Sequence, residues 1–171
     1  MDKQLKQTRG NLSVTLALTK HQGNKHAYFS ATAEERNPRT GRIDACGMMH
    51  DAILSAFPEF ADFVALHLAD QNGEPMYAEA NGYYWLAGAL GGLGEQYHGA
   101  NGTSPKSLME CLTIFASYVR ITVEQADALI NTFKGGQAAI RGQYAAWVEQ
   151  QRPRWKAEAD AAIAKYFKAA S

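Results

Sequence analysis

The chain is poor in cysteine, and it has no long apolar run and no net charge. Its two cysteines, Cys46 and Cys111, lie 65 positions apart without a CxxC pairing, so we expect a reducing cytosol and no disulfide framework. No apolar run approaches the roughly 18 residues that span a bilayer. The charged N-terminus is not followed by the apolar stretch of a signal peptide. At 171 residues and 46% apolar, the chain has enough apolar sequence for a folded core.

The formal net charge of zero hides a strong segregation of charge along the chain. Residues 1–43 carry a net charge of +5, residues 44–133 carry −9 and residues 134–171 carry +4. Either the basic ends fold back on the acidic middle, or they form a face that meets nucleic acid or an acidic protein. The sequence leaves both interpretations open.

The N-terminal quarter of the chain has the pattern of strands. In NLSVTLALT, every second residue from Leu12 to Leu18 is a large apolar one, which is the period of a half-buried strand. KHAYFSATAEE follows after a loop with Gly23-Asn24, a dipeptide suited to a tight hairpin. RNPRTGRID then reads as a turn-rich connection with a possible short third strand.

From Cys46 onward the apolar spacing becomes helical. Pro58 ends the first predicted helix and opens the second, which leads to a third at about 76–90. We predict a fourth helix with Ser104 as its N-cap, and a fifth that opens on a Thr122 capping box. The apolar face of the first helix consists of Cys46, Met49, His50, Ile53, Leu54 and Phe57.

The C-terminal residues predict a long amphipathic helix. Pro153 lies within it, so we expect an interruption, either a kink or two abutting helices. The predicted class is α+β, mainly α, with an N-terminal β-hairpin or small sheet and five to seven helices. The predicted domains are 1–135, an α+β domain, and 136–171, a helical segment packed on it. The apolar stripe consists of Ile140, Tyr144, Trp147, Val148, Trp155, Ala159, Ala162, Ile163 and Tyr166.

Glycine is concentrated in one region, where seven of the fifteen lie between Gly82 and Gly102. Because glycine loses more backbone conformational entropy on folding than other residues, this composition predicts a mobile loop over residues 87–104. The region does not match a phosphate-binding motif. Tyr97 stands where a dinucleotide fingerprint needs its third glycine, and Lys106 is not adjacent to a glycine as in a P-loop.

Cys46 and His50 are the clearest chemical pair, because a helix would place them one turn apart. That spacing suits an activated cysteine or a metal ion, with His67 or Cys111 completing the site. No paired signature supplies the remaining donors, so we predict no metal and no cofactor. Cys46, His50 and His67 are kept as weak metal candidates. The competing interpretation is a buried cysteine beside hydrogen-bonded histidines.

Arginine and lysine surround a tryptophan in QQRPRWKAEAD. Arg152, Arg154 and Lys156 could hold phosphates while Trp155 stacks on a base. A tryptophan on an apolar stripe is also a core residue, and we expect Trp155 to be buried and the basic side chains to be solvated. Tyr84 in NGYYW is a further partner candidate.

The stretch from HDAILSAFPEF to GALGGLG resembles a family of small phage and prophage proteins of unknown function. The family pattern is Gly-Cys-x-His-[Glu/Asp], Phe-Pro-x-[Leu/Phe], His-Leu and Gly-x-Pro-Met-His. This chain has two more residues between Cys46 and His50 than the pattern, and Tyr77 stands at the last histidine. The matching positions are Cys46, His50, Asp51, Phe57, Pro58, His67, Leu68, Gly73, Pro75, Met76, Asn81 and Tyr84.

The resemblance implies a phage genome and names no reaction. We therefore expect a non-enzymatic accessory binding protein in the host cytoplasm, acting on a host or defence component as anti-CRISPR and other counter-defence inhibitors do. Expected partners are a protein or ribonucleoprotein, nucleic acid through the basic termini, or a second copy, and no membrane. The alternative is a small phage enzyme or a ligand- or metal-binding module centred on His50, His67, Asp70 and Asn81.

Overall fold

The computed structural model describes residues 3–19, 28–69, 83, 85–91 and 107–168. The chain forms two compact units. The first consists of Met1–Glu74 with Arg154–Ser171, and the second of Pro75–Pro153. The predicted domain limits, 1–135 and 136–171, stay a prediction.

The first unit contains a four-stranded antiparallel sheet in the order β1-β2-β3-β4. The predicted strand in NLSVTLALT is confirmed as β2, and Val14 and Leu16 on its inner face are fully buried. The predicted second strand is confirmed as β3, whereas the Gly23-Asn24 loop lies outside the described residues. RNPRTGRID forms the connection from β3 to β4, and only Ile43 and Asp44 of its possible third strand lie in β4. The strands are β1 (Lys3–Arg9), β2 (Leu12–Thr19), β3 (Tyr28–Arg36) and β4 (Ile43–Gly47).

Strand β1 is absent from the sequence prediction, because its side chains are almost all polar and exposed. The local signal for it is Gly10-Asn11. Arg9 of β1 pairs directly with Leu12 of β2, so Gly10 and Asn11 alone form the hairpin loop. Gly10 has a φ of +60°, as the first central residue of a type II′ turn requires. This strand is stabilised mainly by its ladder to β2, and only Leu5 packs against the core.

Two short helices cover the inner face of the sheet in the first unit, α1 (His50–Ala56) and α2 (Ala61–Ala69). A single 3₁₀ turn at Pro58–Phe60 separates them, as Pro58 predicts. Phe63 on α2 meets Phe29 on β3 edge to face, with ring centroids 5.0 Å apart. The core also includes Ala159, Ala162 and Phe167 from the C-terminal helix.

The prediction of a helix from Cys46 is wrong. Cys46 lies in β4, where it pairs with Glu34 of β3, and α1 begins only at His50. Gly47, the last residue of β4, has a φ of +131°, a conformation that no right-handed helix contains. The ladder to β3 therefore overrides the helical spacing of the apolar residues.

The second unit is helical in its described residues. Residues 85–91 form α3, followed by α4 (Leu108–Tyr118) and α5 (Val123–Thr132). The predicted Thr122 capping box with Gln125 is confirmed. The N-cap of α4 is Ser107 and not Ser104, because Ser107 forms a capping box with Glu110. Residues 87–91 are helical, and the rest of the predicted mobile loop, 92–104, lies outside the described residues.

Helix α6 (Gln137–Phe167) is continuous through Pro153, so of the two alternatives predicted at this proline, the one with two abutting helices is wrong. The proline lacks the amide that would donate to the Glu149 carbonyl, but the flanking turns hold the helix together. The α+β class is confirmed, with six α-helices and 61% helix among these residues. No described helix has the length and apolar character needed to cross a bilayer.

Candidate functional site

Two histidines predicted as site residues meet in the first unit. His50 is the first residue of α1 and His67 lies in the last turns of α2. Their ring centroids are 5.4 Å apart, with a 43° angle between the ring planes. The 3₁₀ turn at Pro58–Phe60 reverses the chain between the two helices and so brings these rings together.

His67 is held in one orientation by the sheet. It follows Phe63 by one helical turn, so both side chains point from α2 toward β3. His67 is buried, with 5% of its surface exposed, and its Nδ1 lies 2.9 Å from the Phe29 carbonyl oxygen. Because a carbonyl only accepts, Nδ1 carries the proton, and in the neutral ring Nε2 carries the lone pair.

The lone-pair side of His67 faces a methionine. Met48 Sδ lies 2.9 Å from His67 Nε2, although the Met48 side chain is 58% exposed at the surface. Met48 follows Gly47 at the end of β4, whose positive φ turns the chain there. The sequence analysis did not predict Met48 as a site residue, because the helical spacing placed Met49 and not Met48 on the face with His50.

His50 has an unusual polar environment. Its Nε2 is shielded from solvent and has no hydrogen-bond partner within the described ranges. Burial lowers the pKa of His50, the proximity of His67 lowers it further, and Asp51 raises it in part. The folded protein therefore favours a neutral His50 ring, whose nitrogen is available as a donor of electrons.

Cys46 does not join the two histidines as the sequence suggested. Its strand partner Glu34 alternates with Ala33, which faces the core, so Glu34 and Cys46 lie on the opposite face of the sheet. Cys46 is exposed there, and Cys111 is buried on α4 in the second unit. In the described part of the chain, no three His, Cys, Asp or Glu side chains form a metal-binding group.

Three other predicted site residues cannot be placed. Asp70, Asn81 and Tyr84 lie outside the described residues. Among the described residues, the site brings together two imidazoles and one thioether, which are ligands for a soft metal ion.

The basic side chains around Trp155 are paired along their own helix. Arg152 Nε lies 2.7 Å from Glu149 Oε2, and Lys156 Nζ lies 2.6 Å from Asp160 Oδ2. Arg154 Nε lies 3.7 Å from Glu158 Oε1. These three pairs lie along α6 itself, whereas Lys165 in its last turn pairs with Asp62 of the acidic middle. Arg9 of the basic N-terminal segment likewise pairs with Glu59. Binding of the basic segments to another molecule stays a prediction.

Trp155 itself is buried, with 3% of its surface exposed. The expectation that it is a core residue is confirmed. A base could stack on this ring only if the fold opened, and nucleic-acid binding by the basic side chains around it stays a prediction.

The two edges of the sheet differ in character. β1 carries three cationic side chains, Lys3, Lys6 and Arg9, whereas β4 carries a single charged residue, Asp44. Ile43 at the start of β4 is 45% exposed and Met48 just after it is 58% exposed. The other exposed large apolar side chains of the described residues are Leu108 and Met109 on α4.

The second unit contains a cavity of about 290 Å³. Its described lining is mostly apolar side chains and glycine backbone, with the Tyr83 ring at one wall and the Arg141 guanidinium 5.1 Å from that ring. It contains little polar functionality that would orient a ligand, so the histidine pair and the β4 edge are the stronger candidates.

No family model, curated protein or solved structure matches this chain.

Proposed function

We propose that this chain is a non-enzymatic binding protein that receives an extended segment of a partner protein along β4. The observation that carries the proposal is the contrast between the sheet edges. An exposed edge strand offers unpaired N–H and C=O groups to another strand, and natural proteins block such pairing with lysines. β1 carries these lysines, while β4 presents an exposed Ile43 and one charge.

The surroundings of β4 favour a partner segment with acidic residues. The turn from Asn37 to Arg42 leads into β4 and exposes Arg39 and Arg42. The Asn37 side chain accepts hydrogen bonds from the backbone of Arg39 and Thr40, which fixes the shape of this turn. Added strands gain affinity from main-chain hydrogen bonds and specificity from the side chains that they contact beside the edge. The residues that flank the β4 ladder include the cationic Arg42 and the apolar Met48, both exposed.

The resemblance to small phage and prophage proteins supports the setting of the proposal. The partner is then a protein or ribonucleoprotein of the host or of its antiviral defence, met in the host cytoplasm. The chain would act as an anti-CRISPR-like or other counter-defence inhibitor. It would hold an extended segment of that partner along β4 and so block the segment's normal contacts.

The test is affinity capture from a phage-susceptible host with the wild-type chain and two variants. Ile43→Lys places a charge on the β4 edge, and Met109→Lys places one on an apolar position of α4 that is even more exposed. We expect a stoichiometric host protein with the wild type and with Met109→Lys, and its loss with Ile43→Lys. A complex that survives Ile43→Lys would refute the proposal, as would self-association through β4 with no host protein.

A second candidate function is favoured by the contact between His50, His67 and Met48. Their arrangement suits a small ligand- or metal-binding module, the alternative that the sequence already suggested for the two histidines. This function would not require a partner strand on the β4 edge.

A further inference from the structure

We propose that Met48, His50 and His67 form a binding site for one cuprous ion. The proposal rests on the contact between Met48 Sδ and His67 Nε2 and on the adjacent His50 ring. It develops the second candidate function and is independent of partner binding at β4.

The first argument is the orientation of His67. Metal-binding histidines almost always donate their other ring N–H to a carboxylate, a backbone carbonyl or water, which fixes the tautomer and aims the ligating nitrogen. His67 has this arrangement, with Nδ1–H donating to the Phe29 carbonyl at 2.9 Å. Phe29 belongs to the central strand β3, so the support for the ligand is rigid.

The second argument is the spacing of the two rings. With a metal–nitrogen bond of about 2.0 Å, two imidazoles on one ion have ring centroids about 5 to 6 Å apart. His50 and His67 are 5.4 Å apart. The buried Nε2 of His50, without a hydrogen-bond partner in the described ranges, is the donor that such an ion would engage.

The third argument is the chemical softness of the donors. Thioether and thiolate ligands select Cu(I), imidazole suits copper and zinc, and carboxylates suit magnesium and calcium. A set of two imidazoles and one thioether therefore favours Cu(I) over Zn²⁺. Cys46, on the other face of the sheet, is not a ligand in this proposal.

The thioether must move slightly to bind. At bond lengths of about 2.0 and 2.3 Å, a nitrogen and a sulfur 2.9 Å apart subtend only about 85° at a shared ion. Met48 is more than half exposed and has three rotatable bonds. Rotation of its side chain widens this angle without disturbing His67.

The test titrates the purified full chain with Cu(I) under anaerobic conditions, in competition with a chromogenic Cu(I) chelator. Ag(I), which is not readily oxidised, serves as a second probe. We expect one equivalent of Cu(I) and a much lower affinity for Zn²⁺. X-ray absorption of the loaded protein should show two nitrogen neighbours and one sulfur neighbour. Absence of a Cu(I) complex, or equal affinity for Zn²⁺, would overturn the proposal.

Matched variants identify the ligands. Met48→Leu keeps the volume and apolar character of the side chain and should weaken Cu(I) binding at least about 10-fold, the lower end of what losing a supporting contact costs. Met109→Leu and Cys46→Ser should bind as the wild type does. Unchanged affinity in Met48→Leu, or loss in Cys46→Ser, would contradict the assignment. Met48→Leu also retains an apolar residue beside β4, so it should leave partner capture unchanged. Failure of the copper site can therefore be distinguished from failure of partner binding.

Discussion

At the scale of single residues, burial decides between two interpretations of the same residues. In the sequence, Trp155 and its basic neighbours fit both a core stripe of the helix and a nucleic-acid-binding patch. The ring is buried while Arg152 and Lys156 point outward to acidic side chains one turn away. Periodicity gives the face of a helix on which a residue lies, but not whether that face is covered.

Replacing Trp155 with alanine tests its burial. We expect Trp155→Ala to lower the free energy of unfolding by about 3–5 kcal/mol, because it removes a large apolar side chain and leaves a cavity. Lys156→Ala on the adjacent exposed position should change it by less than about 0.5 kcal/mol. Urea unfolding followed by circular dichroism measures both, and equal stability of the two variants would contradict a core role.

His50 predicts a dependence of stability on pH. The pKa of His50 is lowered in the folded state from its ordinary 6.5, first by burial and then by His67. As the pH falls below about 6.5, the unfolded chain binds a proton that the folded chain does not, so stability decreases. His50→Gln should reduce this decrease when unfolding is measured from pH 8 to pH 5. An identical pH profile in wild type and variant would exclude the effect.

At the scale of elements, local patterns predicted most helices and failed where strand pairing or a polar edge was decisive. The Thr122 capping box and the stop at Pro58 were readable because their chemistry is contained within four residues. β1 was not readable because polar exposed strands have no burial period, and Cys46 was misplaced because its pairing partner Glu34 is distant in sequence. Of the site, the two histidines were predictable but Met48 was not.

The capping box of α5 gives a prediction at this scale. Thr122 Oγ1 accepts a hydrogen bond from the Gln125 amide, and its loss in Thr122→Val should cost about 1 kcal/mol of stability. Thr113→Val, on the exposed face of α4, makes the same chemical change away from a cap and should have little effect. Denaturant midpoints of the two variants give the comparison, and equal midpoints would show that the cap contributes nothing.

At the scale of the whole molecule, the C-terminal turns of α6 belong to the same unit as the N-terminal sheet. Tyr166 Oη donates to the Glu59 carbonyl at 2.5 Å, and Lys165 Nζ lies 3.2 Å from Asp62 Oδ2. The Phe167 ring lies against Phe63, with centroids 5.7 Å apart. The first unit is therefore assembled from segments about 80 residues apart in the chain, a long-range closure that local sequence patterns do not reveal.

Truncation tests this assembly against the domain limit at residue 135. If residues 1–135 were a domain with its own core, a chain ending at Pro153 would keep a folded sheet. Because Ala159, Ala162 and Phe167 are buried in the core of the first unit, we expect the 1–153 chain to lose the dispersed amide signals of the sheet in NMR spectra. Their apolar area would return to water at a cost of roughly 25 cal/mol per Å². Addition of a separate peptide covering 154–171 should restore those signals, while a peptide carrying Phe167→Ala should restore them poorly. A 1–153 chain with an intact sheet spectrum would show that the C-terminal turns only cover the first unit and do not complete its core.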